Sequence, residues 1–242
     1  VHDSGRAANP TARAFAWVGA GVFVLSLSYF IYQYWTAFGA VAPGPFSASP
    51  VVWNVLLFTG FAAHHSVFAR TPLKQWLARA VGPLERSVYV WIASLLFAGV
   101  CWLWQPVSGV VWDLDGAARL VLFFLQLGGI TLSVYSAALI DIWELAGTKQ
   151  IDSQPPTSNN DQMDFKTTGP YGLVRHPIYL GWFLIVLCVG TMTMTRLVFA
   201  VVSCVYIVVA IPFEERSLLK SAGDAYARYM KRVPAKLIPR LY

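Results

Sequence analysis

The sequence predicts an all-α polytopic membrane helix bundle, with about six transmembrane helices and a C-terminal amphipathic helix. Three observations carry this. Of 242 residues, 57% are apolar and 12% charged, about half the roughly 25% usual in a soluble domain. Ten Trp, eleven Tyr and fifteen Phe are more than a soluble core of this size can hide. The apolar residues fall in stretches of roughly 17–25, enough for a helix to cross a hydrocarbon core of about 30 Å. An ordinary soluble domain and a disordered chain are both excluded. The reading is one membrane domain over 1–242. Residues 1–140 hold four spans; 141–242 hold a cofactor-binding loop, a helical hairpin and the last helix.

The elements follow in order. The first span runs from about Phe15 to Phe38 and the second from about Val51 to Ala69, interrupted by His64-His65-Ser66. The third covers Val88 to about Trp104, and the fourth Ala117 to Ile140. The block from Ile178 to Phe213 is too long for one span and is broken only at Thr191–Arg196. It predicts a tight helical hairpin turning near Thr195, with the sixth span ending at Ile211-Pro212-Phe213. Beyond it Leu218, Leu219, Ala222, Tyr226, Tyr229, Met230 and Val233 recur at helical spacing among basic residues. That pattern predicts an amphipathic helix lying on the membrane surface or on the bundle. Asp141–Pro177 is long and polar, and loops of this sort are either disordered or functional lids.

Charge sets the orientation. The formal net charge is +6, from 18 Lys and Arg against 12 Asp and Glu. With both termini on one side, that side collects sixteen of the eighteen basic residues and leaves only Arg119 and Arg196 opposite. The positive-inside rule makes the basic side cytoplasmic. So few charges, scattered between apolar runs, point to surrounding membrane lipids and not to nucleic acid. The three cysteines, Cys101, Cys188 and Cys204, lie in apolar runs without CxxC spacing. They imply buried free thiols and no metal site. Oligomeric state is not legible.

The densest polar cluster beside a span is Gly169–Gly181, which contains Arg175-His176-Pro177-Ile178-Tyr179-Leu180-Gly181. Pro177 disfavours helix at His176 and suits a first helical turn. Arg175 and His176 thus fall at the N-terminus of the fifth span, where free N–H groups favour an anion. Gly181, one turn in, permits close approach of a backbone or a ligand. The hairpin returns Glu214 and Glu215 to the same level. An anchoring Arg, a helix start and acids paired with nearby bases would explain each residue singly, but not their gathering at one hairpin mouth.

Arg175-His176-Pro177-x-Tyr179-x-Gly181 followed by Glu214-Glu215 resembles the signature of integral-membrane methyltransferases, the isoprenylcysteine carboxyl and phospholipid methyltransferases among them. Tyr226-x-x-Tyr229 and Val233-Pro234…Ile238-Pro239 are similar to their C-terminal pattern. The resemblance implies S-adenosylmethionine as cofactor, bound at the cytoplasmic ends of the last helices without a Rossmann sheet. It further implies that Arg175 and His176 hold the methionine carboxylate, and that Tyr179 and Gly181 line the pocket. Glu214 and Glu215 would then take the amino group or ribose hydroxyls. A sulfonium donor is already activated, so alignment with a nucleophile is the main task left to the protein.

The N-terminal half narrows the resemblance. His64-His65-Ser66-Val67-Phe68-Ala69-Arg70, Glu85-Arg86-Ser87-Val88-Tyr89-Val90, Val111-Trp112-Asp113 and Met192–Ala200 are similar to the bacterial methanethiol S-methyltransferases. That implies a bacterial inner-membrane enzyme turning methanethiol, a small thiol, into dimethyl sulfide. His64 and Gly147-Thr148-Lys149-Gln150 depart from that pattern. His65 and Ser66 are the catalytic candidates, because an imidazole near pKa 6.5 is reasonably matched to a thiol near 8.5. A histidine bonded to a neighbouring helix is the plainer reading. Trp143, Gln150 and Trp182 are candidates for the acceptor pocket. Two alternatives stand beside the small thiol: a lipid-like or isoprenylcysteine acceptor, and a haem-binding membrane isomerase or sensor with His65 as ligand.

Overall fold

The computed structural model describes residues 10–68, 71–140, 148 and 167–239. Helices α1 (Pro10–Trp35), α2 (Ala48–Phe68), α3 (Thr71–Val81) and α4 (Glu85–Leu103) are followed by strand β1 (Val110–Asp113) and helix α5 (Gly116–Ile140). A 3-10 turn at Gly169–Gly172 leads into α6 (Pro177–Leu187), β2 (Thr191–Thr193) and α7 (Met194–Arg232). The chain forms two compact units. Among the described residues, one comprises those within 10–33, 57–104 and 148, the other those within 34–56, 105–140 and 167–239.

Four stretches among the described residues are helical, long and apolar enough to cross a membrane: Pro10–Trp35, Trp76–Leu103, Gly116–Ile140 and Met194–Arg232. The sequence predicts six, and the difference lies at the second and fifth. Helix α2 has 21 residues but spends them partly on Asn54, His64 and His65. Helix α6 has only 11, a rise of about 16 Å, half of what a span needs.

The first unit packs through aromatic rings. Phe30 lies 5.6 Å from Phe97, Phe97 lies 5.4 Å from Phe61, and Phe15 stacks on Trp91 at 5.7 Å. A side chain at Gly19 would meet Trp91 Nε1 at 2.7 Å, so only glycine lets that ring lie against α1.

In the second unit α5 and α6 meet backbone to backbone. A Cβ on Gly181 would stand 2.6 Å from the Gly129 carbonyl, and one on Gly129 would stand 2.7 Å from the Gly181 carbonyl. The buried residues of α5 are Gln126, Gly129 and Ser136, while Leu120, Val121 and Phe124 are exposed. Small and polar inside with apolar outside is the arrangement of a helix in lipid.

At the end of α6 and just beyond it, backbone carbonyls find side-chain donors. Gln126 Nε2 donates to Ile185 O at 2.7 Å, Tyr34 Oη to Val186 O at 2.5 Å, and Trp112 Nε1 to Val189 O at 2.9 Å. Trp35 Nε1 in turn donates to Gln126 Oε1 at 2.9 Å. Carbonyls left bare in lipid would cost several kcal/mol each. The chain then runs on as β2, antiparallel to β1 with Val110 opposite Thr193 and Asp113 opposite Thr191. The three residues of β2, at about 3.3 Å each, add about 10 Å to the rise of α6. The apolar part of α7, Met194–Phe213, rises about 30 Å beside them. The hairpin is therefore helix followed by a turn and a short strand on one side, and all helix on the other.

Two expectations for α7 are corrected. Pro212 does not end the helix, which runs through it as far as Gly223; a second helical stretch continues to Arg232. Proline removes one amide donor, and the missing bond concerns one carbonyl near the end of the apolar stretch. The break comes at Gly223, whose φ of 50° and ψ of −124° are open to glycine alone. The sixth span and the amphipathic stretch are thus separated at Gly223 and not at Pro212. Beyond the bend Tyr226, Tyr229 and Val233 are buried together, with Leu218, Ala222 and Met230 packed on them. Leu219, expected on the same face, is 37% exposed.

The N-terminus of α7 carries a buried cation. Arg196 donates through Nε and Nη2 to Tyr34 O (3.0 and 2.8 Å) and through Nη1 to Thr191 O (2.6 Å). It stands 5.3 Å from the Tyr34 ring centre. Thr193, the N-cap of α7, accepts from Arg196 N at 3.1 Å and donates to Phe38 O at 2.5 Å. This outlying basic residue closes the last carbonyls of α1.

Candidate active site at the mouth of the hairpin

The inward stripe of α7 is Phe199, Ser203, Ile207, Ile211 and Glu215, all buried. Four-residue steps keep one face in register, so Glu215 faces inward while Glu214 is turned out, with its side chain 42% exposed. Pro177 opens α6, and His176 is its N-cap, at φ −124° and ψ 63°. The hairpin sets these two levels side by side.

Arg175 Nε donates to Glu215 Oε1 at 2.7 Å, and His176 Nε2 donates to the same oxygen at 3.2 Å. Tyr179 Oη donates to Glu214 Oε2 at 2.7 Å, and the His176 and Tyr179 rings stack at 5.4 Å with 12° between planes. His176 Nδ1 lies 3.9 Å from Glu214 Oε2. Burial alone would raise the Glu215 carboxyl; hydrogen bonds from Arg175 and His176, with their charges, outweigh it and hold it below the ordinary carboxylate range. Glu215 is therefore an anion at neutral pH. The surrounding phenols stay neutral: burial pushes Tyr229 up to about 12, and Tyr171 is raised by burial as well.

A second layer was not foreseen. Arg175 Nη1 donates to Val233 O at 2.8 Å and Pro234 O at 2.6 Å. The Arg175 amide donates to Ala235 O at 2.9 Å and the His176 amide to Lys236 O at 3.0 Å. Leu237, 3% exposed, anchors this extended segment against Ile207 and Ile211, with Tyr179, Trp182 and Phe183 around them. Pro234 and Pro239 bracketing one buried leucine were the available signal, since they leave a short extended strap with an apolar pin.

Each expected site residue can now be placed. Arg175, His176, Tyr179, Glu214 and Glu215 form one cluster. Gly181 is turned to α5, where Gly129 approaches; of a backbone or a ligand, the backbone fills that space. Trp182 donates to Ser203 Oγ at 3.1 Å and lies 6.1 Å from Phe199, in the apolar layer beneath the cluster. Trp143 and Gln150 lie outside the described residues, as does most of the loop 151–168. His65 and Ser66 belong to the other unit, half-buried in the last turns of α2. There His65 Nδ1 is 2.9 Å from Tyr89 Oη, on α4. The His65 ring lies 5.7 Å from Phe61 and from Tyr89. The bond to a neighbouring helix is present, as the plainer reading expected.

The donors and acceptors left over indicate what the cluster can hold. No described residue accepts from Arg175 Nη2, and none donates to Glu215 Oε2. One cationic donor and one or two anionic acceptors, beside an aromatic stack, suit a small zwitterion that carries further positive charge.

Residues 130–220 match the isoprenylcysteine carboxyl methyltransferase (ICMT) family. The chain is 38% identical to methanethiol S-methyltransferase of Crocosphaera subtropica over 74% of its own length and 71% of the relative's. It is 38% identical to that of Pseudomonas deceptionensis over 82% and 77%. More distantly, it is 28% identical to nurim of Bos taurus over 70% and 68%. No solved structure matches. With apolar helices long enough to span a bilayer and this kinship over most of its length, the chain belongs to the methanethiol S-methyltransferase family, membrane methyltransferases of the ICMT-like superfamily.

Proposed function

We propose that the protein is an S-adenosylmethionine-dependent thiol S-methyltransferase that converts methanethiol to dimethyl sulfide. It sits in a bacterial inner membrane with both termini and the donor site on the cytoplasmic side. The observation that carries the donor assignment is the hairpin-mouth cluster, with Arg175 Nη2 and Glu215 Oε2 unspent while their companion atoms are fixed.

When bound, S-adenosylmethionine supplies a methyl group on a positively charged sulfur. The protein's part is to bind and orient. Arg175 Nη2, with His176 behind it, holds the methionine carboxylate. Glu215 Oε2 and the exposed Glu214 take the amino group or ribose hydroxyls, and Tyr179 offers its ring to the sulfonium. The chemistry there would be direct displacement, the acceptor sulfur taking the methyl group while the donor sulfur leaves with the electron pair of the old bond. The thiol proton must go to a base, for which His65 is the candidate.

Saturable binding of S-adenosylhomocysteine to the purified protein tests the donor site, and Arg175→Ala should weaken it at least tenfold. Unaltered binding in Arg175→Ala and Glu215→Ala together would refute the assignment. The match to the isoprenylcysteine family favours a second acceptor class. Methylation of a prenylated cysteine analogue with none of methanethiol would replace the small-thiol reading.

A further inference from the structure

Four consecutive backbone carbonyls of the C-terminal strap accept from two residues of the donor cluster. Arg175 Nη1 donates to Val233 O and Pro234 O, the Arg175 amide to Ala235 O and the His176 amide to Lys236 O, all between 2.6 and 3.0 Å. In a regular strand successive carbonyls point alternately to opposite sides, so a straight edge would offer about half of them to one neighbour. Bent over 236–238, the strap offers all four.

Two apolar pins hold it. Val233, 2% exposed, packs with Tyr226 and Tyr229, and Leu237, 3% exposed, packs with Ile207 and Ile211. Pro234 between them is exposed, and Ala235 and Lys236 are half-buried, so the apolar hold on the strap comes from its two ends. Upstream of the donor motif the same C-terminal stretch grips again, Tyr229 Oη donating to Tyr171 O at 2.9 Å.

What the strap controls is the direction of a plane. The Arg175 guanidinium is flat and carries three nitrogens. Nε is fixed on Glu215 Oε1 at 2.7 Å and Nη1 on the two strap carbonyls, so the direction of the third, Nη2, is set as well. The amides of Arg175 and His176, which a helix start would otherwise turn toward an anion, are engaged by the strap. Recognition of a carboxylate at this point therefore falls to the guanidinium.

We propose that the strap 233–237 is a positioning element of the methyl-donor site, aiming Arg175 at the carboxylate of the donor. Leu237 is its positioning residue: it sets donor affinity through Arg175 and not by contact with the ligand. The role presupposes the donor-site reading above and adds to it the strap and its pin.

The test is a double-mutant cycle on the whole chain in lipid nanodiscs, read as the Kd for S-adenosylhomocysteine well below the unfolding temperature of every variant. Leu237→Ala should weaken binding at least fivefold. In Arg175→Ala the strap has no guanidinium to aim, so adding Leu237→Ala should weaken binding less than twofold further. Residues acting independently would multiply their losses. Leu237→Met, apolar and of similar volume, should bind within twofold of wild type. So should Arg196→Lys, which loosens the closed end of the hairpin and shows whether affinity merely follows stability. Should Leu237→Ala not fold, Pro234→Gly takes its place in the cycle with the same limits, since it keeps every carbonyl and both pins but frees the backbone between them. A loss under fivefold in the wild-type background, or a further loss of twofold or more in Arg175→Ala, overturns the proposal. A loss above twofold in Leu237→Met or Arg196→Lys overturns it too. Wild-type protein that binds no S-adenosylhomocysteine overturns the donor-site reading and the strap's role with it. Normal wild-type binding with multiplied losses overturns the strap's role alone.

Discussion

Glu215 gives the most informative single substitution, because one carboxylate oxygen holds two partners and the other is proposed to face the ligand. In Glu215→Ala the Arg175 Nε and His176 Nε2 both lose their acceptor. Removing one partner of a buried ion pair costs about 3–5 kcal/mol. Arg175 keeps Val233 O and Pro234 O, so about 2–3 kcal/mol is the better figure here. Glu215→Gln is the sharper perturbation. Its amide oxygen still accepts from Arg175 while the negative charge is gone, so the stability loss should fall to about 1 kcal/mol. A lost charge-assisted hydrogen bond to the ligand is worth about 1.5–3 kcal/mol, about 10- to 150-fold in affinity. The assays are calorimetric titration with S-adenosylhomocysteine and thermal unfolding on the same nanodisc preparations. The account expects Glu215→Gln to unfold near the wild-type temperature and bind at least tenfold more weakly. Wild-type affinity in Glu215→Gln would refute the reasoning, because the carboxylate would then serve only Arg175 and His176.

Further predictions follow from the same contacts. The Glu215 carboxyl is held below the ordinary range when folded, so its stabilisation is complete above the unfolded value of about 4.3 and is lost as pH falls through the folded one. Unfolding temperatures in acid should show this loss in wild type and a flatter acid limb in Glu215→Gln. Gly181→Ala would press a methyl group toward the Gly129 carbonyl at 2.6 Å and should cost about 1–3 kcal/mol. Gly21→Ala, with nothing within 4 Å, should not lower the unfolding temperature. Arg196→Leu strips donors from Tyr34 O and Thr191 O and should cost about 2–4 kcal/mol in thermal unfolding. Arg196→Lys should recover less than half of that, since a single ammonium lacks the fork that reaches both carbonyls.

Much of this architecture was legible because, in lipid, charge and polarity are confined to places where something satisfies them. Arg175, His176, Glu214 and Glu215 stand out against apolar flanks, and hairpin geometry requires them to meet. What escaped were features made by backbone atoms. The strap at Val233–Leu237 binds Arg175 through carbonyl oxygens, which every residue has and no motif displays. The carbonyls at and just after the early end of α6 are closed by Gln126, Tyr34 and Trp112, each distant in sequence from the carbonyl it bonds. The sixth span is expected to end at Ile211-Pro212-Phe213, yet the helix passes through Pro212 and breaks at Gly223 instead. Arg196 counts as one of two outward charges in the orientation tally but is 7% exposed. It is a structural cap and not a surface residue.

The central claim is transfer of a methyl group from S-adenosylmethionine to a small thiol by this chain alone. Its most direct test is headspace gas chromatography over purified protein in nanodiscs, supplied with methyl-deuterated S-adenosylmethionine and unlabelled methanethiol. The account predicts dimethyl sulfide carrying one deuterated methyl group, formed in proportion to enzyme and reduced at least tenfold in Glu215→Gln. Unlabelled dimethyl sulfide, or none from protein that binds S-adenosylhomocysteine normally, would contradict it.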